Sequence, residues 1–189
     1  IKASLEAGNE ILTIYNSGNF EVELKQDDSP LTKADLASHQ IIMKHLERTS
    51  IPVLSEEGKD LSYQERKHWK KLWIVDPLDG TKEFIKRNGE FTVNIALIKE
   101  QKPILGVIYV PVLKELYFAT KGTGSFKVLE IDNNSDWEKI WNQAIKLPHG
   151  PLPEFYTVVA SKSHFSKETG DYIEQLKKDK GEVKVISKG

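Results

Sequence analysis

Trp73-Ile74-Val75-Asp76-Pro77-Leu78-Asp79-Gly80-Thr81 is the stretch of sequence that decides the fold. Its first three residues are apolar, which is typical of a buried strand. Asp76 and Asp79 follow with a proline between them, and Gly80 permits a tight turn. Residues 82–86 have helix-forming character. We therefore predict a buried strand, a tight turn and a helix start in succession, with both carboxylates at the carboxyl end of the strand.

This turn offers ligands for both a cation and a phosphate. Hard cations prefer several oxygen ligands, which carboxylates at the end of a strand can provide. The amides of Gly80 and Thr81 would lie at a helix N-terminus, where the dipole and the free N–H groups favour a phosphate. An Asp-Pro turn in which Asp79 caps the helix explains the same residues equally well.

Two further acidic elements lie upstream. Glu56 and Glu57 end the apolar run 51–54, and paired carboxylates repel each other unless a cation or solvent relieves them. Asp35 follows Thr32 at the start of a predicted helix. Taken singly, an exposed acidic turn explains the two glutamates better than a site does, and a helix cap explains Asp35 better. A shared site requires that all three elements converge.

Periodic patterns predict the elements of the first part of the chain. One helix ends near Gly18, and residues 20–24 alternate with period two, which predicts a half-buried strand. A second helix carries the apolar residues from Leu36 to Leu46. Residues 59–70 are mostly polar and indicate a surface excursion. Between 91 and 131, four strands separated by turns predict an antiparallel meander.

The strongest boundary signal is Pro148-His149-Gly150-Pro151, and a strand–helix–strand pattern follows it. We predict an N-terminal α+β domain over residues 1–147 and the beginning of a C-terminal α/β domain over residues 148–189. The predicted fold class is therefore α/β in a layered α+β arrangement.

Composition excludes several classes of protein. Lys and Arg total 27 and Asp and Glu total 28, so a net charge of −1 excludes a nucleic-acid binder that works by bulk charge. The absence of cysteine excludes disulfides, zinc–thiolate sites and cysteine nucleophiles. No apolar run approaches the roughly 20 residues that span a bilayer, so we expect no integral membrane segment. We expect no signal peptide, because the first residues show no charged leader followed by an apolar core. Because the first residue is not Met and lies inside a helical pattern, we expect residues upstream of it.

Three motifs together resemble one known family. They are Ser29-Pro30-Leu31-Thr32-Lys33-Ala34-Asp35, Ser55-Glu56-Glu57 and Asp76-Pro77-Leu78-Asp79-Gly80-Thr81-Lys82-Glu83-Phe84. This set resembles the inositol monophosphatase superfamily of Mg²⁺-dependent, lithium-sensitive phosphatases. The run from Thr81 to Ile98 is similar to its 3′(2′),5′-bisphosphate nucleotidase branch. Ala160-Ser161-Lys162-Ser163-His164 resembles the start of that branch's second domain.

The resemblance implies a sugar-phosphatase-like αβαβα sandwich whose second domain is incomplete in this chain. It also implies which residues ligate Mg²⁺: Glu56, Asp76, the carbonyl of Leu78, and Asp79. The family carries a further metal-binding Asp in a segment beyond Gly189. We therefore expect either a fragment of a larger protein or a chain that is inactive as it stands.

The resemblance assigns the remaining roles as well. The amides of Gly80 and Thr81 would hold the scissile phosphate. Asp35 and the Thr81 hydroxyl would help to activate the attacking water. His164 would touch the nucleotide, although a lone loop histidine is more often a surface residue. The implied reaction is hydrolysis of the 3′-phosphate of 3′-phosphoadenosine 5′-phosphate to AMP and phosphate.

Two alternatives stay open at this point. One is an inositol monophosphatase or another small sugar phosphatase. Lys82-Glu83-Phe84 argues against it, because plain inositol monophosphatases typically have Thr-Asn-Phe there. The other is a non-catalytic fragment that binds metal and phosphate. We expect a small phosphorylated nucleotide as the partner and no nucleic acid. We also expect a cytoplasmic location, with peripheral attachment at the inner membrane left open.

Overall fold

The computed structural model describes residues 1–25, 27, 29–132, 134–151, 154–161 and 165–188. The chain divides into two compact units, Ile1–Pro148 and His149–Gly189. Their assignment as separate domains stays a prediction. The mixed α/β fold class is confirmed by helices and strands that alternate along both units.

The first unit contains five described α-helices and nine described strands, and a 3-10 helix over Glu47–Thr49 follows the second α-helix. The helices are α1 (Lys2–Ser17), α2 (Lys33–Leu46), α3 (Tyr63–Arg66), α4 (Thr81–Ile85) and α5 (Trp137–Asn142). The strands are β1 (Glu23–Leu24), β2 (Pro30–Leu31), β3 (Val53–Ser55), β4 (Lys71–Asp79), β5 (Thr92–Lys99), β6 (Lys102–Val110), β7 (Glu115–Thr120), β8 (Gly124–Val128) and β9 (Ile145–Leu147).

A seven-stranded mixed sheet forms the centre of this unit. Its order is β3-β4-β5-β6-β7-β8-β9, and β3 runs parallel to β4 while every later neighbour is antiparallel. The predicted meander is thus confirmed. The prediction extended the last strand of the meander to residue 131, which is too far. Strand β8 ends at Val128, and Ile131 lies beyond it as a buried core residue. The short strand β9 was not predicted.

Helices α1 and α2 pack against each other and against the central sheet. The apolar residues of β5 alternate, with Val93 and Ile95 buried in the core. Gly8 lets α1 approach β6 closely, because a Cβ at this position would overlap the ring of Tyr109. The core therefore lies between the helix pair and one face of the sheet.

The predicted surface excursion over residues 59–70 is confirmed, since every residue in it is exposed or half-buried; it contains the short helix α3. Two other local predictions were wrong. Residues 20–22 are not a strand: Glu21 has a positive φ of 49°, and the Phe20 ring packs on Phe84 instead of on a sheet. Strand β4 is not buried on both faces, since Ile74 is 42% exposed.

The second unit has the predicted strand–helix–strand order. Strands β10 (Tyr156–Ser161) and β11 (Val183–Lys188) pair in parallel, and α6 (Lys167–Lys180) connects them. The Ser166 side chain accepts a hydrogen bond from the Thr169 amide and caps α6. In neither unit do the described residues include a helix long and apolar enough to cross a membrane.

Candidate active site

The carboxyl end of β4, which carries its two aspartates, is irregular. Asp76 pairs with Asn94 and Asp79 with Thr92, so the register shifts between the two aspartates. Pro77 lies inside this irregular stretch, where its missing N–H interrupts no ladder. The Asp76 carboxylate accepts a hydrogen bond of 3.2 Å from the Leu78 amide. The strand thus ends in a turn that the Asp76 side chain itself stabilises.

A hydrogen bond from helix α2 holds this turn in place. The hydroxyl of Ser38, which is fully buried, donates a 2.7 Å hydrogen bond to the carbonyl of Pro77. Ser38 lies nearly one helical turn beyond Asp35 on α2. The bond therefore links the helix that carries Asp35 to the peptide between the two aspartates of β4.

Gly80 ends the strand and begins α4. It is the N-cap residue, with a φ of 98° that L side chains rarely adopt. A Cβ at Gly80 would lie 2.8 Å from the carbonyl oxygen of Glu90. The alternative in which Asp79 caps the helix is therefore wrong. The turn depends on a glycine both for its backbone angle and for this close approach.

Asp35 takes part in the helix cap and in the candidate site at the same time. Its Oδ2 accepts hydrogen bonds from the backbone amide and the hydroxyl of Thr32, which forms a capping box at the start of α2. Its Oδ1 accepts a 3.0 Å hydrogen bond from the Thr81 hydroxyl. Burial raises the pKa of Asp35, although the bonds from Thr32 and Thr81 act in the opposite direction.

The Thr81 hydroxyl has two acceptors within reach, Asp35 Oδ1 at 3.0 Å and the Leu78 carbonyl at 3.3 Å. A hydroxyl has one proton and two lone pairs. When the proton points towards Asp35, a lone pair of Thr81 can accept a hydrogen bond from a water molecule. The pair can therefore orient a water beside the acidic turn.

Glu56 lies beside the β4 aspartates because β3 and β4 are parallel neighbours. Its amide donates a 3.0 Å hydrogen bond to the carbonyl of Val75, the residue before Asp76. Burial, the charges of Glu56 and Asp79, and a hydrogen bond to Glu56 raise the pKa of Asp76 to about 7. Burial is the largest of these causes of the raised pKa, and the neighbouring carboxylates add to it.

Two residues that sequence reasoning missed contact the acidic groups. The ammonium of Lys25 lies 2.9 Å from a carboxylate oxygen of Glu56 and 2.6 Å from one of Glu57. The amide nitrogen of Asn94 donates a 3.0 Å hydrogen bond to Asp79 Oδ2. Lys25 lies four residues before the motif that begins at Ser29. The residues around it form no local pattern that would mark this lysine as part of the site.

The donor set suits a hard divalent cation. The residues that the resemblance assigns to Mg²⁺ offer carboxylate and carbonyl oxygens, which this ion prefers. A cation would also relieve the repulsion by which the charges of Glu56 and Asp79 add to the effect of burial on the pKa of Asp76. In the described part of the chain, no three or more His, Cys, Asp or Glu side chains already stand in a metal-binding arrangement. The residues thus fit the ion by donor chemistry and proximity, while the side chains would have to rearrange around it.

The structure connects most of the expected site residues through contacts. Hydrogen bonds join Asp35 to Thr81 and Thr81 to Leu78, while the charges of Glu56 and Asp79 act on Asp76. Gly80 lies between the last aspartate and Thr81. His164 lies outside the described residues.

Comparison with known proteins shows the family of the chain. The sequence model described as the inositol monophosphatase family matches residues 1–188. The chain belongs to the inositol monophosphatase family. It is 44% identical over 181 residues to the 3′(2′),5′-bisphosphate nucleotidase CysQ of Salmonella typhimurium, covering 90% of this chain and 65% of that protein. The chain therefore spans less than two thirds of the length of that relative.

Solved structures of family members share the fold. The crystal structure of CysQ from Bacteroides thetaiotaomicron matches with a TM-score of 0.88 and 50% identity, covering all of this chain and 70% of that one. The extragenic suppressor protein SuhB from Bartonella henselae matches with a TM-score of 0.72 and 26% identity, covering 99% and 67%. Enzymes of the inositol monophosphatase family are metal-dependent phosphatases.

Proposed function

We propose that the protein is a 3′(2′),5′-bisphosphate nucleotidase, which hydrolyses the 3′-phosphate of 3′-phosphoadenosine 5′-phosphate in the presence of Mg²⁺. The observation that carries the proposal is the hydrogen bond from the Thr81 hydroxyl to Asp35, placed directly beside the acidic end of β4. The 44% identity to a nucleotidase of this specificity supports the choice of substrate.

The residues of the turn account for the bond-making step. The Thr81 hydroxyl is held by Asp35 and presents a lone pair to the attacking water. The water oxygen forms a bond to phosphorus, and the bond between phosphorus and the 3′ oxygen breaks. A proton from the water passes to solvent or to the departing 3′ oxygen. The products are AMP and inorganic phosphate.

The glycine turn and the acidic cluster account for charge stabilisation. The amides of Gly80 and Thr81, at the start of α4, would bind the phosphate oxygens. Glu56, Asp76, Asp79 and the carbonyl of Leu78 would hold the metal. When bound, Mg²⁺ supplies positive charge that lowers the pKa of water and neutralises the phosphoryl oxygens.

The test is phosphate release by the purified protein from 3′-phosphoadenosine 5′-phosphate, inositol monophosphate and a sugar phosphate. Each substrate is assayed with Mg²⁺, with Mg²⁺ and Li⁺, and with EDTA. We expect release from the bisphosphate nucleotide that requires Mg²⁺ and that Li⁺ and EDTA block. Faster release from inositol monophosphate would replace the nucleotidase assignment with a sugar phosphatase. No release from any substrate would favour the non-catalytic alternative.

A further inference from the structure

Strand β5 places two polar side chains beside the acidic end of β4. Thr92 and Asn94 lie two residues apart, so their side chains leave the same face of the strand. Asn94 pairs with Asp76, and Thr92 pairs with Asp79. Val93 between them is fully buried in the core, whereas Thr92 and Asn94 are half-buried. The two polar side chains therefore lie on the face of β5 that points away from this core.

The irregular register of β4 brings Asp79 to that face. The step from Asp76 to Asp79 spans three residues, whereas the opposing step from Asn94 to Thr92 spans two. In a regular ladder Leu78 would stand opposite Thr92, and Asp79 would point to the other face. With one extra residue in β4, Asp79 takes that place, and Leu78 is buried in the core.

A short chain of hydrogen bonds orients the Asp79 carboxylate. The Thr92 hydroxyl donates a 3.0 Å hydrogen bond to Asn94 Oδ1, and the Asn94 amide nitrogen donates a 3.0 Å hydrogen bond to Asp79 Oδ2. An ionised carboxylate only accepts hydrogen bonds, so the NH₂ end of the amide must face Asp79. The bond from Thr92 holds the amide in that orientation. Because Oδ2 is engaged, this arrangement favours the binding of a cation through Oδ1.

Binding through one carboxylate oxygen suits a small cation better than a large one. Mg²⁺ requires near-ideal octahedral positions at about 2.0–2.1 Å. Ca²⁺ binds oxygens at about 2.3–2.6 Å in flexible geometry and takes a carboxylate through either one or both oxygens. An amide that occupies one oxygen of Asp79 therefore opposes the binding mode that only the larger ion uses readily.

We propose that Asn94 is a positioning residue of the metal site, which holds Asp79 in the orientation that favours Mg²⁺ over Ca²⁺, and that Thr92 fixes the Asn94 amide for this role. The proposal rests on the proposed function, because it takes Asp79 to be a metal ligand. Hydrogen-bond partners of metal ligands typically contribute about 10- to 100-fold to metal affinity.

The proposal predicts different effects on the two cations. Asn94→Ala should weaken the binding of Mg²⁺ about tenfold, because Asp79 loses the bond that orients it. The binding of Ca²⁺ should change less than about threefold, since the freed Oδ2 becomes a second oxygen for the larger ion. The ratio of Mg²⁺ to Ca²⁺ affinity should therefore fall. A merely structural asparagine would weaken both cations alike and leave this ratio unchanged.

The experiment measures the binding of Mg²⁺ and of Ca²⁺ to each purified variant by titration calorimetry, after circular dichroism has shown that the variant is folded. Thr92→Val keeps the size of the side chain and removes the hydroxyl that holds the amide. It should lower the affinity ratio in the same direction by a smaller factor, and it provides the test if Asn94→Ala does not fold. Thr120→Val is the matched control, because Thr120 is also half-buried and ends β7 in the same sheet.

The outcomes separate this inference from the proposed function. A lower ratio of Mg²⁺ to Ca²⁺ affinity in Asn94→Ala, or in Thr92→Val where Asn94→Ala does not fold, supports the proposal if Thr120→Val keeps the wild-type ratio. An unchanged ratio in the variant tested overturns it, while the nucleotidase assignment stands if the wild-type protein binds Mg²⁺ and releases phosphate. A wild-type protein that binds no Mg²⁺ overturns both.

Discussion

The two oxygens of Asp35 are divided between stability and chemistry, because Oδ1 accepts a 3.0 Å hydrogen bond from the Thr81 hydroxyl while Oδ2 closes the cap of α2. The cap fixes the carboxylate at the start of the helix, where the dipole favours a negative charge. The remaining oxygen therefore meets Thr81 in a defined geometry. This arrangement is compatible with both interpretations of Asp35, as a helix cap and as a site residue.

Thr81→Ala should lower the rate of phosphate release about 100-fold or more, because it removes the hydroxyl that orients the attacking water. Mg²⁺ affinity should change much less, since the Thr81 hydroxyl is not among the expected metal ligands. Turnover and calorimetric Mg²⁺ binding are measured on the same preparation. Thr81→Ser, which keeps the hydroxyl, should retain far more activity. A loss confined to metal affinity would contradict the role in water activation.

Thr32→Ala should destabilise the protein by about 1–2 kcal/mol and also reduce activity. It removes the hydroxyl that holds Asp35, so the carboxylate becomes free to turn away from Thr81. Ser62→Ala is a matched control, since Ser62 and Glu65 form the equivalent capping box at the start of α3. It should cost some stability and leave turnover unchanged. Urea unfolding and an activity assay measure both effects, and equal activity in the two variants would contradict the link to Asp35.

Asp79→Asn should abolish most of the activity and weaken Mg²⁺ binding by at least tenfold, because it removes a ligand charge. The variant should fold, since the new amide keeps the size of the carboxylate and one oxygen that can accept from Asn94. Asp132→Asn, an exposed aspartate paired with Lys139, is the control for a general loss of negative charge. Unchanged turnover in Asp79→Asn would exclude Asp79 from the metal site.

The elements that local patterns specify were largely predicted from the sequence. In the meander and in the strand–helix–strand unit, apolar residues recur at regular intervals. Such a pattern arises because each strand or helix buries one of its faces and leaves the other to solvent. Residues 20–22 departed from the prediction because Phe20 is used in a tertiary aromatic cluster with Phe84. The same limit applies to β9, a three-residue strand whose pairing with β8 depends on long-range contacts.

The residues of the candidate site likewise fall into two groups: those that the sequence predicts and those that only the folded structure reveals. Its acidic residues lie in the three motifs that carry the resemblance to the family, and the resemblance predicts that they share a site, whereas each motif taken singly does not. Lys25 and Asn94 are separated by 31 and 15 residues from the carboxylates that they contact. The antiparallel pairing of β5 with β4 brings Asn94 to Asp79, whereas Lys25 follows β1, which pairs with β2 in a separate two-stranded sheet. Such contacts are determined by topology, which local patterns do not contain.

Acidification should destabilise the protein partly through His39. Burial lowers the pKa of His39, whose Nδ1 lies 2.9 Å from the Ser55 hydroxyl oxygen. The folded state therefore binds a proton less readily than the unfolded state, so stability present above about pH 6.5 is lost as the pH falls. The fall in melting temperature between pH of about 7.5 and about 5.5 should be smaller in His39→Gln than in wild type. His68→Gln, which replaces an exposed histidine, is the control and should show the wild-type fall. An equal fall in His39→Gln and wild type would contradict the prediction.

Gly80→Ala should cost more stability than Gly122→Ala, although both glycines have a positive φ. Gly122 has a φ of 90° with open space around the missing Cβ, so its substitution measures the backbone cost alone, about 1–2 kcal/mol. At Gly80 the new Cβ would also meet the Glu90 carbonyl oxygen at 2.8 Å. This backbone contact should add about 1–3 kcal/mol, because the turn must shift to relieve it.

The shift at Gly80 should also displace the amides proposed to bind phosphate. Activity should therefore fall in Gly80→Ala even under conditions where the variant is fully folded, while Gly122→Ala keeps wild-type turnover. Urea unfolding gives the stability of each variant, and phosphate release gives its turnover. Equal losses of stability in the two variants would show that the approach to Glu90 carries no cost. A folded Gly80→Ala with normal turnover would show that phosphate binding does not depend on the shape of this turn.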